Sequence, residues 1–389
     1  MVGRDGPSDS VCPSIVSYGE SVDKHRHVVI AGAGPAGLAS AITLARAGLS
    51  VEVRELRGEV GGHFRGNLQL LTNYPDVRDA RIELCSLLGS VPVSLWPQRS
   101  AQLFGPSGKC VSGRSSEPFG YLLQRGPGPT ALDGALKRAA EEAGVQFRFR
   151  TRARPEEVDI VATGGAAAQG VAREWFGRTG LPDGFHAVFD NRICPGGFGY
   201  LLVAEGYTVV GAAVVGHQDR ALEAFHRTVS FFRGRAGVPR IEHPTLSGSL
   251  DLFLPDPLLT STFPLYVGEA GGFADHLFGF GIRLALQSGV LAAQCVLSGR
   301  GFGPAWEEHF GQRFKTGLAN RFLYETGGHL AYRWFLAKAS RSDFREVGQT
   351  LYKPGAAKRA LATIARTVWK GQPDCVHGSR CVWCRMPKG

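Results

Sequence analysis

Three glycines and one glutamate carry the most specific chemistry in this chain. Gly32, Gly34 and Gly37 stand at GxGxxG spacing, and Glu55 follows 18 residues after Gly37. The first glycine lets the chain turn sharply. The second lets a pyrophosphate approach the backbone, beside Ala36, and the third lets a helix pack closely on a strand. Glu55 is placed to accept both hydroxyls of an adenosine ribose. This is dinucleotide chemistry, and it leaves FAD and NAD equally open.

Further residues suit work around such a nucleotide. Thr163 and Gly164 sit in an Ala-Thr-Gly-Gly turn, and His63 and Arg65 follow a Gly-rich loop where they can meet a ring or a substrate anion. Glu269 ends a strand and is followed by Gly279, Gly281 and Ile282 at the start of a helix. A carboxylate there suits a ribityl hydroxyl, and a helix N-terminus favours negative charge on a reduced pyrimidine ring. His276, in the loop before that helix, has the pKa range of a proton donor. Tyr200 reads as a cavity wall or a second donor. Near the C-terminus, Cys375, His377, Cys381 and Cys384 offer four soft ligands at zinc-like spacing. The same residues also fit a CxxC redox pair or a reduced structural tail.

The elements that must position these groups follow from periodicity. Val28 to Ile30, a helix over 35–48 and a strand over 49–53 make one βαβ unit. Residues 130–143 read as an amphipathic helix capped by Thr130 and ended by Gly144. A strand over 145–150 and a second one before Thr163 return the chain to the first sheet. Residues 66–125 read as short strands in an insertion over the cofactor. Residues 184–217 read as antiparallel strands flooring a substrate cavity. Helices are expected over 218–234, 281–297, 304–315, 318–339, 342–352 and 355–370.

Composition narrows the class. With 389 residues, 43% hydrophobic and 20% charged, the chain is long enough for two connected domains. No apolar run is long enough for a membrane span, and residues 1–24 lack the order of a signal peptide. Eight cysteines without an export signal argue for free thiols. The reading is therefore cytoplasmic, with a place at the membrane periphery as a further option. The net charge of +10 lies wholly in the C-terminal quarter, where residues 299–389 hold 16 Lys and Arg against 6 Asp and Glu. That points to an acidic carrier protein, an anionic membrane surface or a phosphate-bearing substrate, or to a solvated face without a partner. No nucleic-acid motif accompanies the charge.

GAGPAG with Glu55, ATGG at 162–165 and VGEAGGFADHLFGFGI at 267–282 together resemble the geranylgeranyl reductase-like family of FAD-dependent oxidoreductases. These belong to the wider para-hydroxybenzoate hydroxylase-type flavoproteins. The resemblance covers roughly residues 27–300. It implies FAD, with Gly32, Gly34, Gly37 and Glu55 on its ADP half and Glu269, Gly279, Gly281 and Ile282 along ribityl and flavin. It also makes Phe198 and Tyr200 the aromatic positions of a cavity strand. Glu269 stands where the family usually has Asp, and His276 where it usually has Pro.

The expected fold is α/β. It has a Rossmann-type FAD-binding domain (27–66, 125–183 and 258–300) and an inserted mixed or antiparallel substrate domain (67–124 and 184–257). A leader (1–26) precedes them and a basic helical region (301–389) follows. The expected reaction is hydride transfer from reduced flavin to a C=C bond of an apolar isoprenoid, polyene or polyketide-like substrate, free or carrier-bound. His276 or water would supply the proton. Only one complete GxGxxG occurs, so NAD(P)H, if used, would visit transiently, or electrons would arrive from another reductant. Two rivals remain: a flavin monooxygenase on an aromatic or polyketide substrate, and an electron-transfer or redox-neutral flavoprotein docking an acidic partner.

Overall fold

The computed structural model describes residues 26–165, 169–251 and 263–369. In chain order the elements begin with β1 (His27–Ala31), α1 (Pro35–Arg46), β2 (Ser50–Glu55), β3 (Leu68–Thr72) and α2 (Ala80–Leu88). Then come β4 (Trp96–Gln98), β5 (Ser100–Phe104), β6 (Cys110–Arg114), β7 (Gly120–Gln124), α3 (Leu132–Glu142), β8 (Gln146–Phe149) and β9 (Ile160–Val161). The second half holds β10 (Gly170–Arg178), β11 (Gly184–Val188), β12 (Phe198–Ala204), β13 (Tyr207–Val215), α4 (Ala221–Ala236), β14 (Leu246–Leu250) and β15 (Leu265–Tyr266). Four helices close it: α5 (Ile282–Ser298), α6 (Phe302–Ala339), α7 (Phe344–Tyr352) and α8 (Ala356–Val368).

A five-stranded sheet in the order β15-β9-β1-β2-β8 is parallel throughout. Its apolar residues bury Val28, Ile30, Val51 and Val53 against α1, α3 and α5. Close approach of α1 and α5 rests on small residues. Ser40 Oγ donates to Gly289 O at 2.9 Å, and a Cβ on Gly289 would stand 2.2 Å from Ala36 O. The chain leaves β1 through Gly32, whose φ of +99° suits glycine and where a Cβ would meet Ala162 O at 2.4 Å.

A seven-stranded sheet, β14-β10-β13-β12-β11-β5-β6, is antiparallel except between β11 and β5. A three-stranded antiparallel sheet, β3-β7-β4, comes from residues 68–124, which also supply β5 and β6 of the large sheet. Together with the α-helices this is the mixed α/β architecture expected.

Four local expectations need correction. Residues 170–178, assigned with the nucleotide domain, form β10 inside the large sheet, because alternating Val171, Arg173 and Trp175 pair with β13. Residues 66–125 are more than short strands: α2 forms there, N-capped by the Asp79 side chain, and β5 and β6 extend the large sheet. Helix α3 starts at Leu132 behind Ala131 with no side-chain cap, so Thr130 does not cap it. The helices expected over 304–315 and 318–339 are continuous across Gly317, and the chain departs from helical geometry at Gly328 instead. Gly317 faces the His276 ring, so packing holds the helix where its own propensity is weak.

Candidate active site

The loops at the C-terminal ends of the parallel strands converge on one cavity of about 610 Å³, within the usual range for a small-molecule site. Helix α1 opens onto it with Gly34 as N-cap and no side-chain cap. Helix α5 opens onto it with Gly281 as N-cap, again uncapped and with no acid in the first turn. Two helix ends therefore present unsatisfied N–H groups and positive dipole ends to the same space.

Glu55 is held beside the first of them. Its carboxylate accepts from Ala33 N and from Arg57 N, each at 2.8 Å. Gly32, Ala36, Glu55, Thr163, Gly164, Glu269, Gly279, Gly281 and Ile282 all line the cavity, as do His276 and Tyr200. A Cβ built on Gly34, Gly164 or Gly281 would meet nothing within 4 Å. The backbone is thus bare where a nucleotide must come close. Gly37 is not in the lining. It packs under the loop, where a Cβ would stand 2.0 Å from Gly32 O. Arg65 is exposed and outside the lining, whereas its neighbour His63 lines the cavity and contacts Ser247 O at 2.7 Å.

Glu269 accepts from Asp251 N at 2.6 Å. Burial and the nearby Asp251 carboxylate raise its own carboxyl to about 7, against the hydrogen bond from Asp251 N and the Arg125 charge. His276 is buried with its ring 5.6 Å from that of Phe314 in α6. Its loop is tied by Asp275, which accepts from Phe278 N at 2.7 Å and from the Tyr352 hydroxyl.

The structure adds residues that sequence reading overlooked. Arg125 donates to both Asp133 oxygens at 2.9 Å, stands over the Phe64 ring at 4.1 Å and lines the cavity. Asp133 shares the stripe of Leu136 and Ala140 in α3, and a carboxylate on an apolar stripe was the available signal. Glu174 of β10 and Asn67 also line the cavity, both buried. Glu174 shares a strand face with Ala172 and Phe176, which was the comparable signal there.

Beyond the cavity lies an apolar pocket. The two share Leu70, Phe185, Phe198, Phe278 and Phe280 as a common wall. Phe119, Phe189, Phe335 and Phe344 continue the lining, and Tyr74 is its single residue with a polar side chain.

Cys375, His377, Cys381 and Cys384 lie outside the described residues, as do Cys12 and the leader apart from Arg26. Among the described residues no group of three or more His, Cys, Asp or Glu is arranged to hold a metal. Among them, too, no helix is long and apolar enough to cross a membrane.

Comparison with known proteins agrees with this geometry. Residues 30–77 match the NAD(P)-binding Rossmann-like domain family. The chain is similar to a digeranylgeranylglycerophospholipid reductase of Methanothrix thermoacetophila, 24% identical over 394 residues that cover 89% of this chain and 96% of that protein. Its fold is similar to that of a geranylgeranyl bacteriochlorophyll reductase-like protein from Thermoplasma acidophilum, with a TM-score of 0.64, 18% identity and coverage of 84% of this chain and 94% of that one. The fold of a flavin-dependent halogenase is also similar, with a TM-score of 0.54, 15% identity and coverage of 87% and 70%. The chain is an FAD-dependent oxidoreductase of mixed α/β fold. Its resemblance to the geranylgeranyl reductase-like family, drawn from three motifs, extends along most of its length.

Proposed function

We propose that this enzyme reduces carbon–carbon double bonds of a long apolar chain of isoprenoid type. The observation that carries this reading is the phenylalanine-lined pocket sharing a wall with the dinucleotide cavity. The pocket holds only about 40 Å³, so it admits one end of such a chain, and the phenylalanine wall that it shares with the larger cavity favours hydrocarbon over a charged or sugar-like ligand. The named relative acts on a lipid bearing such chains.

FAD, when bound, supplies the two-electron hydride chemistry. The chain's own residues do the rest. The α1 end and Gly34 would hold the pyrophosphate, Glu55 the ribose, and Glu269 a hydroxyl of the ribityl chain. The α5 end favours negative charge at the pyrimidine side. Phe198, Phe278 and Phe280 exclude water where the two spaces meet. The proton comes from a side chain at the cavity wall, for which His276 and Tyr200 were the sequence-derived candidates. NAD(P)H is the proposed electron donor, visiting transiently.

Anaerobic stopped-flow tests this. Chemically reduced holoenzyme mixed with a digeranylgeranylglycerophospholipid should reoxidise without oxygen, and the lipid should gain two hydrogens per reduced bond. Reoxidation that requires oxygen, with an oxygen atom found in product, would replace this reading by a monooxygenase. Reoxidation only by a partner protein would replace it by electron transfer.

For the basic C-terminal quarter we propose an anionic membrane surface as partner, since that is where a lipid substrate resides. Helix α8 keeps Ile364 and Val368 exposed among Lys358, Arg359 and Arg366, and α6 keeps Leu330 and Trp334 exposed beside Arg333.

A further inference from the structure

We propose that Tyr200 and Glu174 form a proton relay in the cavity wall, with Tyr200 as donor to the substrate and Glu174 as the positioning residue behind it. This inference rests on the double-bond reduction proposed above and names the source of its proton.

The large sheet is built to bring these two groups together. Register places Glu174 of β10 opposite Gly211 of β13, and Tyr200 of β12 opposite the same Gly211. The three residues form one row across three strands. With strands about 4.8 Å apart, β10 and β12 stand roughly 10 Å from each other. Two side chains meet over that span only if the residue between them leaves the space empty. Gly211 does so: a Cβ there would stand 2.6 Å from Tyr200 Cζ and 2.7 Å from its Oη. Across this gap Tyr200 Oη donates to Glu174 Oε1 at 2.5 Å.

The other carboxylate oxygen is fixed as well. Asn67 Nδ2 donates to Glu174 Oε2 at 3.0 Å, which leaves the buried Asn67 Oδ1 with no hydrogen-bond partner in the protein. Asn67, Glu174 and Tyr200 are 1%, 9% and 9% exposed, and all three line the cavity. Among the described residues no Lys, Arg or His forms an ion pair with Glu174. An acid buried without a countercharge keeps its proton unless ionisation is repaid. Burial accordingly raises the Glu174 carboxyl, against the hydrogen bonds from Tyr200 and Asn67. With that proton present the hydrogen bond between the two groups can run either way, and turning it round, so that the carboxyl donates to Tyr200 Oη, frees the phenolic hydrogen for the substrate.

In the reduction step one C=C π bond breaks and a C–H bond forms at each carbon. One hydrogen arrives as hydride with both electrons from the reduced flavin, which is oxidised. The other arrives as a proton from Tyr200 Oη. Burial and the Glu174 carboxyl hold the Tyr200 phenol well above its ordinary range, so it gives up its proton only as it takes the one from Glu174, and the carboxylate recovers one from water.

Two near-isosteric variants, Tyr200→Phe and Glu174→Gln, test the relay in holoenzyme with a digeranylgeranylglycerophospholipid as probe. Rates are measured per bound flavin in single turnover, in H2O and D2O. Wild type should place one solvent deuterium per reduced bond. Y200F should lose about 10²–10⁴-fold, the usual worth of a general acid, and E174Q a smaller part of it, with flavin content kept. Infrared difference spectra of the resting protein at pH 7 should show a protonated carboxyl band that E174Q removes. Equal rates per flavin in all three proteins would overturn the relay while leaving the reductase reading intact. If wild type reduces no double bond, the reductase reading falls. The infrared arm still decides in that case, because absence of the band removes the proton store.

Discussion

At the scale of single residues, the site depends on carboxyl groups held in unusual states. Glu269 occupies the position where the family motif usually carries Asp, and burial lifts its carboxyl from 4.5 to about 7. A group whose native value lies above its unfolded value holds an extra proton in the folded chain over that interval. Its contribution to stability is full below about 4.5 and is lost as pH rises through about 7. In flavin-free protein, urea midpoints should therefore fall between pH 4.5 and 7, by up to roughly 3 kcal/mol in stability, and Glu269→Gln should flatten that part of the curve. Parallel curves for the two proteins would assign the slope to other groups. Much of this residue-level chemistry was legible beforehand, because Gly32, Gly34, Gly37 and Glu55 lie in one local unit. Glu174, Asn67 and Arg125 were not, because each becomes meaningful only beside residues far away in sequence, at separations such as the 107 residues between Asn67 and Glu174. Arg65 illustrates the converse. It sits in the right loop, but it is exposed and outside the lining, whereas His63 and Phe64 line the cavity.

At the scale of elements, the packing of α1 on α5 sets the site, since each helix brings one uncapped N-terminus to the cavity. Gly289 makes that packing possible, with Ala36 O where its Cβ would be. Gly289→Ala should destabilise the protein by about 1–3 kcal/mol, as overpacking does, and weaken FAD binding by displacing Ala36. Thermal melts and flavin content after gel filtration check both, and an unchanged flavin content would show that the two helix ends are not coupled. Helix existence was readable from periodicity for all of these elements. Their junctions were less so. The break at Gly328 rather than near Gly317 follows from what each glycine touches: Gly317 lies against His276, whereas a Cβ on Gly328 would meet nothing within 4 Å. Strand β10 escaped notice because its partners, β13 and β14, come later in the chain.

At the scale of the whole molecule, the basic C-terminal quarter and the exposed apolar residues of α6 and α8 bear on where the enzyme works. Full-length protein should sediment with vesicles containing anionic phospholipid at low salt and be released as salt rises, since screening lengths shorten from about 30 Å to about 8 Å between 0.01 M and 0.15 M. Ile364→Ser with Val368→Ser should weaken sedimentation without altering flavin content. Binding to an acidic carrier protein but not to vesicles would transfer the surface to that partner.

The sequence by itself determined that the framework is a Rossmann-type α/β unit and marked Gly32, Gly34, Gly37 and Glu55 as one local constellation. Those features are local: a strand, a turn, a helix and an acidic strand end within 29 residues, 27–55, dictate their own geometry. Only the tertiary structure decided that an apolar, phenylalanine-lined pocket adjoins that cavity, and that Glu174 and Tyr200 meet across Gly211. Those features arise from strand register and from contacts between distant segments, which no local spacing encodes.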